Sequence, residues 1–159
     1  MKLGAFPVAV LIAFAAGPAS VQACTFDQKG VASELERIAR RNPGYRALPG
    51  ESAVEWKTPT YKVRLSLGGC EDLGAEVRVV RTSASVPLTT EQLIAAVARY
   101  RSADRASAVR AALASGKLVR SVDGTTTYLE ASEFASPAFP LGFTIEQGPD
   151  EIALSWQEL

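Results

Sequence analysis

Two cysteines, Cys24 and Cys70, and three groups of carboxylates are the side chains in this 159-residue chain whose type and spacing could carry chemistry, and no histidine accompanies them. Ser-His-Asp and Cys-His catalysis and the commonest zinc ligand are thereby excluded. Without a histidine to lower its pKa, Cys70 is a poor nucleophile. A serine with a lysine base would need a spacing motif that the sequence lacks. Glu71-Asp72 and Asp150-Glu151 are adjacent pairs in expected turns, and Glu130 and Glu133 flank an apolar segment. Two carboxylates suffice for glycoside hydrolysis, but turn carboxylates ordinarily serve solvation, so a carboxylate-dependent hydrolase is the weaker alternative. There is no GxxxxGK(S/T) phosphate cradle and no DxDxDG calcium loop. Gly68-Gly69 with Gly74 reads as turn geometry around Cys70. The expectation is a protein that is not an enzyme and uses no cofactor and no metal.

The cysteines also report on the compartment. Lys2, the unbroken apolar run Val8–Ala16, the break at Gly17-Pro18 and the small residues of Val21-Gln22-Ala23 read as a signal peptide over residues 1–23. The run is too short to span a bilayer, and no later stretch is longer. Residues 24–159 are then one exported domain without a transmembrane span, periplasmic or secreted, long enough to bury roughly two-thirds of its unfolded surface. Cys24 stands directly after the expected cut. A disulfide to Cys70 fits an oxidising compartment, and closing that 47-residue loop would stabilise the fold by about 4 kcal/mol on the chain-entropy model. The alternative is a lipid anchor carried by Cys24, although Gln22 sits where lipoprotein signals usually hold a small residue.

These residues must be positioned by elements that the patterning supplies. Tyr61, Val63, Leu65 and Leu67 alternate with polar residues, and Ala75, Val77 and Val79 alternate on the return, so Tyr61 to Arg81 reads as two paired strands around a glycine-punctuated loop. Before it, Asp27 caps a helix to about Arg41 with Val31, Leu35 and Ile38 on one face, and Ala53 to Lys57 forms a short strand around Trp56. After it, Thr89 with Gln92 makes a capping box, with Leu88 stapled on Leu93. The helical pattern breaks at Ser102-Ala103-Asp104 and resumes to Gly116, giving two helices or one bent helix. Arg99, Arg101, Arg105 and Arg110 read as their solvated face, with a basic binding strip as the alternative. Asp123-Gly124 joins one hairpin, and Gly148-Pro149-Asp150 joins another from Phe143 to Gln157.

Between these hairpins, Ala131 to Gly142 is too rich in proline for a regular strand or helix. It either plugs the core or docks a partner through Phe134, Pro137, Phe139, Pro140, Leu141 and the adjoining Phe143, with Glu71 and Asp72 in the cysteine loop as further contact candidates. Charge is divided along the chain: residues 24–120 carry a net of +6 and residues 121–159 a net of −7. Paired strands would neutralise this across the sheet. A chain without net basicity gives nucleic acid no foothold.

The fold expected is α+β: a single domain with an antiparallel sheet of about six or seven strands and two or three helices packed on one face. Its element order is similar to that of small exported inhibitor and envelope-assembly modules, with no shared motif. The function expected is an exported, non-catalytic binding protein: an inhibitor, immunity or accessory factor for another envelope or secreted protein. A carrier of a small apolar ligand or lipid is the alternative. An unpaired edge strand would also allow self-pairing.

Overall fold

The computed structural model describes residues 27–48, 51–68, 73–132 and 136–158. The expected signal peptide at residues 1–23 and the candidate residues Cys24, Cys70, Glu71, Asp72, Glu133 and Phe134 lie outside them. Helix α1 (Gln28–Arg41) starts where the Asp27 side chain accepts a bond from the Lys29 amide at 3.1 Å, and it stops at Asn42. Its Val31, Leu35, Ile38 and Ala39 are buried in one stripe, the spacing that puts side chains on one helical face. Four strands follow as a meander: β1 (Tyr45–Leu48), β2 (Ala53–Lys57), β3 (Tyr61–Gly68) and β4 (Gly74–Arg81).

The chain then crosses the sheet through α2 (Thr90–Tyr100) and α3 (Ala103–Ser115). The Thr89–Gln92 capping box forms as its sequence demands, Ser102 caps α3, and Gly116 closes α3 in the left-handed conformation (φ 65°). A second meander begins at the far edge with β5 (Val119–Asp123) and β6 (Thr126–Ala131). It returns through β7 (Phe143–Gln147) and β8 (Glu151–Gln157) to the centre, where β8 pairs with β4. The result is one antiparallel sheet in the order β1-β2-β3-β4-β8-β7-β6-β5. No helix among the described residues is long and apolar enough to cross a membrane.

Side chains alternate between the two faces of a strand, and the register turns that alternation into rows. One row, Ala47–Val54–Leu65–Val77–Leu154–Ile145–Leu129–Arg120, runs across all eight strands on the helix side. Its centre is fully buried beneath α1 and α2 with Leu93, Ile94 and Val97. Each such aliphatic side chain contributes about 1.5–3 kcal/mol by leaving water. The opposite row, Arg46–Glu55–Arg64–Arg78–Ala153–Glu146–Tyr128–Ser121, lies on the uncovered face.

The α+β single domain is as the sequence implies, but the sheet has eight strands rather than six or seven. The extra strand is β1, within a stretch that reads from sequence as a proline- and glycine-rich loop. Its residues lie outside the core, so no buried face imposed an alternation that could be read. The division of charge resolves as pairing between the halves of the chain. Arg78 meets Glu146 and Glu151, Arg81 meets Asp150, and Arg101 and Arg105 meet Glu158.

Candidate functional site

The segment expected to offer apolar contacts is divided by the fold. Phe139 is 1 % exposed. Its ring packs on Phe143 with centroids 4.8 Å apart and stands edge-on to Trp156 at 5.7 Å. A tight turn accomplishes this: the Phe139 amide donates to the Ser136 carbonyl, and the Gly142 amide donates to the Phe139 carbonyl, each at 3.0 Å. Phe139 and the likewise buried Phe143 are therefore core residues, as the plugging alternative implies. Their rings are hidden because prolines at 137 and 140 prevent a regular strand and the turn between them aims the aromatic inward. Pro140 and Leu141 are half-buried, and Pro137 is exposed.

Behind Phe139 lies a polar cluster that the sequence reading did not assemble. The guanidiniums of Arg101 and Arg105 stand over the Trp156 ring at 5.8 and 5.2 Å, and Arg105 also lies over Phe139 at 5.9 Å. Glu158 accepts from both, at 2.5 Å from Arg105. Glu34 of α1 approaches Arg101 at 3.6 Å. The Arg101 side chain is only 9 % exposed. Of the four arginines expected on a solvated face, Arg110 fits, pairing with Glu91 at 3.0 Å among exposed side chains, whereas Arg101 and Arg105 do not. The break at Ser102 turns these two back over the end of β8. Among the described residues, the buried side-chain atoms without a hydrogen-bond partner are Arg101 Nε and Trp156 Nε1.

The carboxylates are spread among ion pairs. Asp150 is held by Arg81 at 2.6 Å, and Glu151 by Arg78. Arg78 also binds Glu76 at 2.9 Å and faces Glu146 at 3.5 Å, and these contacts, the Glu76 hydrogen bond foremost, raise the guanidinium pKa above its ordinary value. Glu130 is exposed on β6. No group of three or more potential metal ligands occurs among the described residues.

The exposed apolar surface lies at the margins of the sheet. Val119 is 65 % exposed, Val122 58 % and Tyr45 42 %, and these are the exposed large hydrophobics among the described residues. Each belongs to one of the two edge strands, β5 or β1. Beside β5 runs a groove of about 490 Å³ lined by Ala108, Ala112, Leu118, Ala131, Pro137 and Phe143, among others. Compared with known proteins, the chain matches no family model, no curated protein and no solved structure.

Proposed function

We propose that this is an exported binding protein without a catalytic step of its own, acting as an inhibitor, immunity or accessory factor on another envelope or secreted protein, with the β5 edge as its contact. The observation that carries the reading is the exposure of Val119 and Val122 on a strand whose outer edge is unpaired among the described residues. An edge strand presents a row of free N–H and C=O groups, and natural proteins usually blunt it with proline, a bulge or inward charge. Here β5 is VRSVD, regularly paired to β6 over all five residues without proline or bulge; Arg120 and Asp123 supply charge, while Val119 and Val122 leave an apolar side chain on each face of the strand. That is the surface to which an extended segment of another protein adds as a further strand. Among the described members of the sequence-derived contact set, Pro137 is the exposed one, and it lines the groove that reaches Leu118 just before β5.

The experiment is a photo-crosslinking residue placed at Ser121, with a second at Arg64 on the uncovered sheet face as control. A single partner protein crosslinked from Ser121 and not from Arg64, and lost when Val122 is replaced by lysine, supports the reading. Crosslinks confined to copies of the chain itself, or equal capture from both positions, would sink it. The small-apolar-ligand alternative is favoured by the groove beside β5, and native mass spectrometry would show a bound species of discrete mass if it held.

Export would allow a Cys24–Cys70 disulfide, with a lipid anchor on Cys24 as the alternative. Glu34 in the middle of α1 approaches Arg101, which pairs with Glu158, and the Glu158 amide donates to the Leu73 carbonyl at 2.7 Å where Leu73 borders the cysteine loop. Intact mass before and after reduction separates the readings. Exported protein that gains two hydrogens on reduction carries the bond, and one bearing a diacylglycerol adduct on Cys24 is the lipid-anchored form.

A further inference from the structure

Where the end of α1 meets the junction of α2 and α3, a cavity of about 370 Å³ is lined by Arg37, Arg41, Asn42, Arg99, Tyr100, Arg101 and Arg105 together with Glu34 and Ile38. We propose that this cavity binds a phosphate group, free or as the monoester of a small molecule.

Charge is the first support. Five arginines line the cavity, whereas the carboxylates that pair with them are two, Glu34 on its wall and Glu158 behind Arg101 and Arg105. The local balance is +3 in a chain whose total is zero. A concave surface lined by one sign of charge concentrates the field on an incoming anion. Arg41 and Arg99 form no ion pair among the described residues. A single cation at each helix C-terminus would answer the macrodipoles of α1 and α2, but it does not require that five arginines line one hollow.

Preorganisation is the second. Arg101 is fixed by Glu158 and the Trp156 ring, and its Nε is a buried donor without a partner. The Arg99 guanidinium lies over the Tyr100 ring at 5.4 Å, and its Nε donates to Asn42 Oδ1 at 3.4 Å. Asn42 is held in turn, donating from Nδ2 to the Ile38 carbonyl at 3.1 Å and accepting at its own carbonyl from Trp56 Nε1 at 2.8 Å. Planar guanidinium forks match the oxygens of phosphate in a bidentate way that an ammonium does not, and all five cations here are arginine. The Glu34 carboxylate competes for Arg37 and Arg101, so binding draws chiefly on Arg41 and Arg99, the two exposed arms.

The test is isothermal titration calorimetry of the full mature chain with inorganic phosphate and, separately, glycerol phosphate, at low and physiological salt. Saturable one-to-one binding is expected. The double variant Arg41→Ala/Arg99→Ala should weaken it roughly ten- to a hundredfold, in line with the loss of charge-assisted bonds, while Arg110→Ala leaves it unchanged. Tighter binding of the ester than of phosphate assigns the remaining volume to the attached group, and equal binding assigns the site to free phosphate. Amide shifts of wild-type protein on adding phosphate should centre on Asn42, Tyr100 and Arg101, a readout independent of how the variants fold. No saturable heat with either probe, or shifts scattered over the surface, would overturn the proposal.

Discussion

The indole of Trp56 lies stacked on the ring of Tyr100, with centroids 4.0 Å apart and planes inclined by 24°. One residue belongs to β2 and the other ends α2, and the Trp56 indole N–H also caps the carbonyl of Asn42 at the end of α1. A single side chain therefore ties two helices to the sheet. Both rings are buried, and burial holds the Tyr100 hydroxyl above its ordinary pKa.

Replacing Trp56 by phenylalanine should keep part of the stack but lose the bond to Asn42, at a cost of about 1–3 kcal/mol. Alanine should cost about 3–5 kcal/mol. Urea unfolding followed by far-ultraviolet circular dichroism measures both, and equal losses in the two variants would refute the separate contribution of the N–H.

The places where sequence and structure agree share one cause, which is that a buried face or a local bond dictated the residue. Val63, Leu65 and Leu67 alternate because one side of β3 is covered. Thr89 and Gln92 announce α2 because each satisfies the other's amide. Gly124 has a positive φ of 57° in the turn where Asp123-Gly124 places it. The failures also share a cause. Tyr45–Leu48 has no buried face, and backbone pairing with one exposed Arg46–Glu55 ion pair leaves no periodic mark in residue type. Arg101 and Arg105 look like surface cations because what they meet, Trp156 and Glu158, lies more than fifty residues away in the chain. Phe139 stays divided in the sequence between plugging the core and docking a partner, because periodicity says nothing about which way a proline-bounded turn faces.

Glu158 shows how much such a distant partner can weigh. Glu158→Ala would leave Arg101, whose side chain is 9 % exposed in the native structure, with Glu34 at 3.6 Å as its remaining counter-ion among the described residues. Removing one member of a buried pair strands the other, and a loss of about 3 kcal/mol is expected. Arg110→Ala, which breaks an exposed pair, should change stability by no more than about 0.5 kcal/mol. Comparable effects from the two would contradict the buried geometry.

Gly142 is the backbone counterpart. Its φ is 80°, and a Cβ there would stand 2.3 Å from the Ala131 carbonyl oxygen. Alanine must both adopt a left-handed conformation and push β6 away from the Phe139 turn. The conformation alone costs about 1–3 kcal/mol, and the clash adds to it. Gly116→Ala supplies the comparison, since its φ is 65° but nothing lies within 4 Å of the added atom. Thermal unfolding should show Gly142→Ala as the more damaging of the two, and the reverse order would refute the close approach.

Glu34 gives the fold a pH dependence whose sign can be worked out. The hydrogen bond from Arg37, with bonds of 2.5 and 2.7 Å, holds the Glu34 carboxyl below its ordinary value of 4.5, and the charges of Arg101 and Arg41 act in the same direction against its partial burial. A carboxylate with a depressed folded pKa stabilises the native state above the unfolded value and loses that contribution as pH falls through the folded one. Wild type should therefore exceed Glu34→Gln in stability at neutral pH, and the difference should begin to close below about pH 4.5. Urea midpoints measured from roughly pH 7 to roughly pH 3 follow the trend. A difference that stays constant across that range would mean that Glu34 acts through packing, and that Arg37 and Arg101 do not depend on its charge.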